Sequence, residues 1–102
     1  MLPRYTVNVS PRAQADYDEA LLWWIEQRDK APLSVSDDVA DAIDSLEKHG
    51  PTLGVAVPAL GPGYRRLLLP RVRQYLYFRM ESPTVVQVLA FWHSSSRGHP
   101  RL

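Results

Sequence analysis

The sequence has no cysteine among its 102 residues, which excludes disulfides, cysteine–zinc sites and a thiol nucleophile. It also has no apolar run near the roughly 18 residues that a membrane-spanning helix needs. A strand-like pattern begins at residue 4 and leaves no room for a signal peptide. We therefore expect a cytoplasmic protein that does not act at a membrane.

Lysine is scarce, because ten of the twelve basic residues are arginine. Acidic residues are scarce in the second half, where residues 51–102 have seven arginines and only Glu81, a net charge of +6. Residues 1–50 have five basic and ten acidic residues, a net charge of −5. The formal net charge of +1 thus hides an acidic half and a basic half. Arginine favours bidentate recognition of carboxylate or phosphate, although a GC-rich genome also produces this bias.

The first 30 residues have the periodicity of a strand followed by a helix. Residues 4–9 alternate polar and apolar side chains, which is typical of a half-buried strand. Ser10 is a helix N-cap and Pro11 a first-turn proline, so a helix should run from there to about residue 30. The residues expected to face the core are Tyr5, Val7 and Val9 in the strand, and Ala13, Tyr17, Ala20, Leu21, Trp24, Ile25 and Arg28 in the helix.

The rest of the chain contains a second helix and three strands. The helix begins at residue 33 or 36, and Gly50 followed by proline ends it. Residues 51–63 are rich in glycine and proline and are expected to form a loop. The strands cover residues 64–69, 73–80 and 84–92, with a polar tail at 93–102. Short connections between these strands predict an antiparallel meander.

The order β-α-α-β-β-β predicts an α+β fold. Because the strands are segregated from the helices, a helical hairpin is expected to pack on one face of an antiparallel sheet. The length fits a single domain over residues 1–102.

Four segments, in this order, resemble motifs of the RelE/ParE superfamily of type II toxin–antitoxin toxins. They are YTVNVSPRAQADY at residues 5–17, YRRL at 64–67, RQYLYFRM at 73–80 and VQVLAFWH at 86–93, followed by Arg97. The resemblance implies a cytoplasmic toxin that a cognate, ParD-like antitoxin binds across helices and sheet and keeps inactive in a hetero-oligomer.

The superfamily has two target classes, and the motif residues bear on the choice between them. RelE-type members cut messenger RNA on the ribosome, which requires an acid, a base and cations around the phosphate. The resemblance places Arg65 on one basic position of that set, but Leu67 and Gln74 stand where basic residues are expected, and no tyrosine follows Tyr77. An mRNA endonuclease would use Arg65, Arg73, His93 and Arg97.

ParE-type members bind and poison DNA gyrase without catalysis. The missing nuclease residues and the long helices favour this class. A RelE-like mRNA endonuclease and a degenerate, non-toxic relative remain the alternatives.

Arginines of the basic half are the candidates for a target- or antitoxin-binding surface. Arg65, Arg73 and Arg97 could line one electropositive cleft, or they could be scattered, solvated side chains. Trp24 is expected in the core, with Trp23 at the edge of the apolar stripe. The candidate binding residues are Arg65, Arg66, Arg73, His93, Arg97 and Trp23.

His93 has two interpretations, as a general acid or base near neutral pH or as a cap of the last strand that hydrogen-bonds a loop. The histidines have no metal-ligand spacing, and no cofactor motif is present, so neither metal nor cofactor is expected. The aspartates at 37, 38, 41 and 44 are interpreted as a solvated helix face.

Overall fold

The computed structural model describes residues 4–27 and 33–102, with two helices on one face of a five-stranded sheet. The elements are β1 (Thr6–Val9), α1 (Pro11–Gln27), α2 (Ser34–His49), β2 (Val55–Ala56), β3 (Arg65–Leu69), β4 (Gln74–Ser82) and β5 (Val85–His93). The predicted α+β architecture is confirmed. The predicted end of the first helix near residue 30 and the stripe residue Arg28 lie outside the described residues.

The strand order is β1-β5-β4-β3-β2. Strands β3, β4 and β5 form the predicted antiparallel meander, and β1 lies parallel to β5 at one edge, with Thr6 opposite Val85. The main core lies between the sheet and the helices, where β4 and β5 contribute four fully buried residues. Those residues are Leu76, Phe78, Val86 and Val88.

The N-cap of α1 forms as predicted and fixes where the helix leaves the sheet. The backbone amide of Ala13 donates to Ser10 Oγ at 3.0 Å, and the amide of Ser10 donates to the carbonyl of Val88 at 2.9 Å. The side-chain hydroxyl of Ser10 also donates to the carbonyl of Leu89 at 3.2 Å. The start of α1 is therefore anchored to β5, an inner strand of the sheet.

Two residues predicted to face the core are exposed. Val9 is 38% exposed because it is the last residue of an edge strand, where the chain turns into α1. Ile25 is 51% exposed because it lies about 100° around α1 from the half-buried Trp24. The buried stripe of α1 is therefore narrower than predicted.

The segment at 51–63 is more ordered than the predicted loop. It contains β2 and two short 3₁₀ turns, and β2 pairs with Arg65 and Arg66 of β3. Gly54 precedes β2 with φ of 68°, and a Cβ atom at this position would collide with the backbone carbonyl of Arg66. Close approach of the two backbones therefore requires glycine here.

Candidate functional site

Arg65 and Arg66 project from opposite faces of the sheet because side chains alternate along β3. Arg65 lies on the helix-facing side, where Nε donates to the carbonyl of Leu53 at 2.8 Å and an Nη donates to the carbonyl of Gly54 at 2.9 Å. Both bonds fasten the segment before β2 to the sheet. Arg65 therefore has a structural role in this geometry.

Arg66 belongs to the outer face, the side of the sheet that faces away from the helices. Its guanidinium lies 4.0 Å from the centre of the Tyr75 ring, and an Nη lies 3.4 Å from Tyr77 Oη. The same Tyr77 hydroxyl is 3.0 Å from His99 Nδ1. A guanidinium, a phenol and an imidazole thus converge on one point of the outer face.

A second arginine–tyrosine pair lies on the outer face. Arg79 places its guanidinium 4.9 Å from the Tyr64 ring centre and donates to the Tyr64 hydroxyl at 3.3 Å. No carboxylate in the described part of the chain forms an ion pair with Arg66 or Arg79. Neither Arg79 nor His99 is among the binding residues predicted from the sequence. Alternation of arginine and tyrosine along residues 73–79 was the available signal.

A groove of about 910 Å³ lies between α1, the start of β4 and the end of β5. It brings together three candidate residues, Trp23, Arg73 and His93. Trp23 is 51% exposed, and its ring centre lies 5.9 Å from that of Trp24. The groove is lined by Arg12, Asp16, Glu19, Ala20, Trp23, Trp24, Ser34, Arg71, Val72, Arg73, Gln74, Phe91, Trp92 and His93.

The predicted strand began at Arg73. In the structure, β4 begins one residue later, and Arg73 precedes it. Its φ of 58° is left-handed, a conformation that costs about 1 kcal/mol or more for a residue with a side chain. The backbone carbonyl of Arg73 accepts a hydrogen bond from the amide of Ser94 at 2.8 Å. This turn presents the exposed Arg73 side chain at the groove.

The interpretation of the aspartates on α2 as a uniformly solvated face is wrong at Asp38. This residue is only 2% exposed, and its carboxylate accepts from the amides of Arg71 and Val72 at 2.8 and 3.0 Å. An Nη of Arg71 donates to Asp38 at 2.8 Å and to Asp41 at 3.1 Å. These hydrogen bonds, first to Asp41 and then to Asp38, raise the pKa of Arg71 above its ordinary value. Asp38 therefore fixes the turn that positions Arg73.

His93 and Arg97 lie in and after the end of β5. The exposed His93 accepts at Nδ1 from the amide of Ser95 at 3.1 Å, and Ser95 Oγ lies 2.6 Å from the same nitrogen. This geometry agrees with the strand-capping interpretation of His93. Arg97 is exposed, has no ion-pair partner among residues 4–27 and 33–102, and does not line the groove.

Arg65, Arg73 and Arg97 do not meet in one cleft. Arg65 lies opposite Phe78 in the middle of β4, whereas Arg73 lies just before the start of β4, beside the pair formed by Gln74 and His93. The structure instead divides the candidate residues between the outer face, which has Arg66, and the groove, which has Trp23, Arg73 and His93.

In the described ranges, no helix is long and apolar enough to cross a membrane. The same residues contain no group of three histidine, aspartate or glutamate side chains that could hold a metal ion. Function without a metal or cofactor remains a prediction.

Solved structures of low sequence identity share this fold. A chain of the chromosomal ParDE TA system from P. aeruginosa matches with a TM-score of 0.69 and 20% identity, covering 88% of this chain and 96% of that chain. The YoeB dimer from Staphylococcus aureus matches with a TM-score of 0.59 and 15% identity, covering 88% of this chain and 97% of that chain. No protein-family model and no curated protein matches the sequence. The chain has the fold of the RelE/ParE superfamily.

Proposed function

We propose that this protein is the toxin of a type II toxin–antitoxin system, of the ParE-like kind that poisons DNA gyrase without catalysis. Support comes from the fold it shares with a chain of a ParDE system over 88% of its length. The ordered sequence motifs support the same class. The fold alone hosts both gyrase poisons and ribonucleases, so the choice between them rests on the site.

The observation that favours a non-enzymatic toxin is the dispersal of the expected nuclease residues. RNA cleavage needs a base, an acid and cations around a single phosphate. Arg65 is engaged by the carbonyls of Leu53 and Gly54 and lies opposite Phe78 in the middle of β4, while Arg73 and His93 lie at the start of β4. His93 is itself hydrogen-bonded to Ser95. These three residues, with Arg97 as the fourth candidate, therefore do not surround one reacting group.

A ParD-like antitoxin is the proposed partner, in a hetero-oligomer. The groove offers an exposed indole at Trp23 and a cation at Arg73, and Arg73 forms no ion pair within the described residues. Aromatic and arginine side chains are the commonest energetic anchors of protein interfaces. An antitoxin segment that carries apolar and acidic residues would fit this combination.

The runner-up is a RelE-like mRNA endonuclease, and one observation favours it. Arg66, Tyr77 and His99 meet within hydrogen-bond reach on the outer face. Imidazole, phenol and guanidinium are groups that can move protons and stabilise a charged phosphate. The YoeB structure, similar in fold, keeps this alternative open.

Induced expression with two readouts separates these functions. A gyrase poison should arrest growth, induce the SOS response and stabilise gyrase–DNA cleavage complexes. Arrest with transcripts cut within codons, and no gyrase complexes, would replace the proposal by the nuclease. Growth without any defect would indicate a degenerate relative. A small acidic open reading frame directly upstream of the gene, whose co-expression restores growth, would support the antitoxin.

Substitutions of exposed residues test which part of the surface is needed for toxicity. Arg73→Ala with Arg97→Ala should abolish toxicity while leaving the fold intact, because both side chains are exposed and without an ion pair in the described residues. The matched control is Arg4→Ala, an exposed arginine at the start of the described chain. Retained toxicity in the double variant would show that neither Arg73 in the groove nor Arg97 is needed to act on the target. His99→Ala should abolish toxicity only in the nuclease alternative.

A further inference from the structure

The last residues of the chain contact β4 on the outer face of the sheet and the start of α1. His99 packs edge-on against Tyr77 of β4, with ring centres 6.0 Å apart and a hydrogen bond of 3.0 Å. Pro100 is fully buried. The carbonyl of Arg101 accepts from an Nη of Arg12, at the start of α1, at 2.8 Å. We name residues 99–102 the tail segment.

Tyr77 lies under the tail segment. Its side chain is 0% exposed although it projects away from the helices, towards the face of the sheet that the two helices leave open. The residues packed with it form a small cluster, whereas the core on the other face spans helices and sheet. Val57, Ala90 and Leu60 pack with Tyr77 as well. His99 contacts the ring edge and hydrogen-bonds the hydroxyl, so the tail segment covers the hydroxyl end of this side chain.

The tail segment is joined to β5 by an exposed turn. Residues 95–98 are exposed, and Gly98 has φ of 68°, the left-handed conformation that glycine adopts most readily. Within the described residues, the tail segment is held by two hydrogen bonds, by the ring contact of His99 with Tyr77 and by the burial of Pro100. These contacts are few compared with the backbone hydrogen bonds that hold β4 between β3 and β5. The tail segment can therefore detach locally while the sheet stays folded.

We propose that the tail segment is an intramolecular cover over the outer face, which opens without unfolding of the sheet and thereby exposes Tyr77 beside Arg66. In the closed form, the phenol is shielded and Arg66 shares its hydroxyl with His99. In the open form, the phenol and the guanidinium are accessible to a partner at this face. This inference does not depend on the proposed toxin activity.

Nitration of tyrosine by tetranitromethane, mapped by mass spectrometry, tests the closed form. In the full chain Tyr77 should react more slowly than the partly exposed Tyr64. In a chain that ends at Gly98, the Tyr77 rate should rise about tenfold while that of Tyr17, which packs against the helix-side core, is unchanged. The matched control removes Leu102 alone, an exposed residue, and should leave the Tyr77 rate unchanged.

An unchanged Tyr77 rate in the folded, shortened chain would overturn the proposal. His99→Ala and Pro100→Ala provide milder variants and should each raise the Tyr77 rate less than the truncation does. Failure of the shortened chain to fold would also overturn it, because the segment would then be part of the folding core rather than a cover.

Nitration of the full chain in low concentrations of urea tests the opening itself. The Tyr77 rate should stay nearly constant there, because detachment of four residues exposes little surface. A Tyr77 rate that rises in step with global unfolding would mean that the segment leaves only when the sheet unfolds, and would contradict the proposal.

Discussion

The two faces of the sheet are stabilised in different ways. The helix-facing side buries an apolar core to which β4 contributes Leu76 and Phe78 and the helices contribute Ala13 and Leu46. The outer face has a smaller cluster around Tyr77, and its other contacts are polar or involve arginine and tyrosine. Stability therefore resides mainly on one face, which leaves the other free to carry exposed arginines.

Truncation of Phe78 to alanine should have the largest effect on stability. The side chain is fully buried in the helix-side core, and its loss should lower the free energy of unfolding by about 4 kcal/mol. Urea unfolding followed by circular dichroism measures this. If the free energy of unfolding fell no more than it does for an outer-face substitution, the helix-facing side would not be the main source of stability.

Asp38→Ala should come next, with a loss of about 3 kcal/mol, because it leaves the amides of Arg71 and Val72 without their acceptor. The control Asp41→Ala removes a more exposed carboxylate that also binds Arg71, and should cost far less. Thermal denaturation of the two variants gives the comparison. Similar losses in both would show that burial of Asp38 does not matter.

Arg65→Ala should lower stability by about 1.5 kcal/mol, because it releases the carbonyls of Leu53 and Gly54. Arg66→Ala, one residue away on the outer face, should cost less than about 1 kcal/mol, mainly the cation–π contact with Tyr75. Equilibrium unfolding of both variants measures the difference. The reverse order would show that Arg65 does not fasten the segment before β2.

Among the four main substitutions, which change Phe78, Asp38, Arg65 and Tyr77, Tyr77→Phe should have the smallest effect. It should cost about 1 kcal/mol, because it removes the hydroxyl shared by His99 and Arg66 but retains the buried ring. Urea unfolding is again the measurement. The result would be contradicted by a loss as large as that of Phe78→Ala, which would indicate that the outer-face hydrogen bonds are essential to the fold.

Much of the fold could be predicted from local signals. Ser10 followed by proline gave the start of α1, and Gly50 gave the end of α2, because capping depends on nearby backbone groups. The order of elements and the meander of the last three strands followed from periodicity and short turns. Capping and periodicity act within a few residues, so one sequence is enough to identify them.

The candidate site was less predictable because its contacts join distant parts of the chain. Asp38 binds backbone amides 33 and 34 residues away. Its spacing from Val35, Ala42 and Leu46 puts it on the buried stripe of α2, but that spacing does not identify the amides that it meets. Tyr77 and His99 are 22 residues apart. Such pairings require knowledge of how α2 and the tail segment lie on the sheet.

The sequence by itself determined the helices, the meander, and the separation of an acidic half from a basic half. Only the tertiary structure decided that β1 lies parallel to β5, that Asp38 is buried, and that Arg65 and Arg66 serve opposite faces. The reason is that strand periodicity states which side chains share a face, whereas packing of the helices on the sheet decides which face is covered.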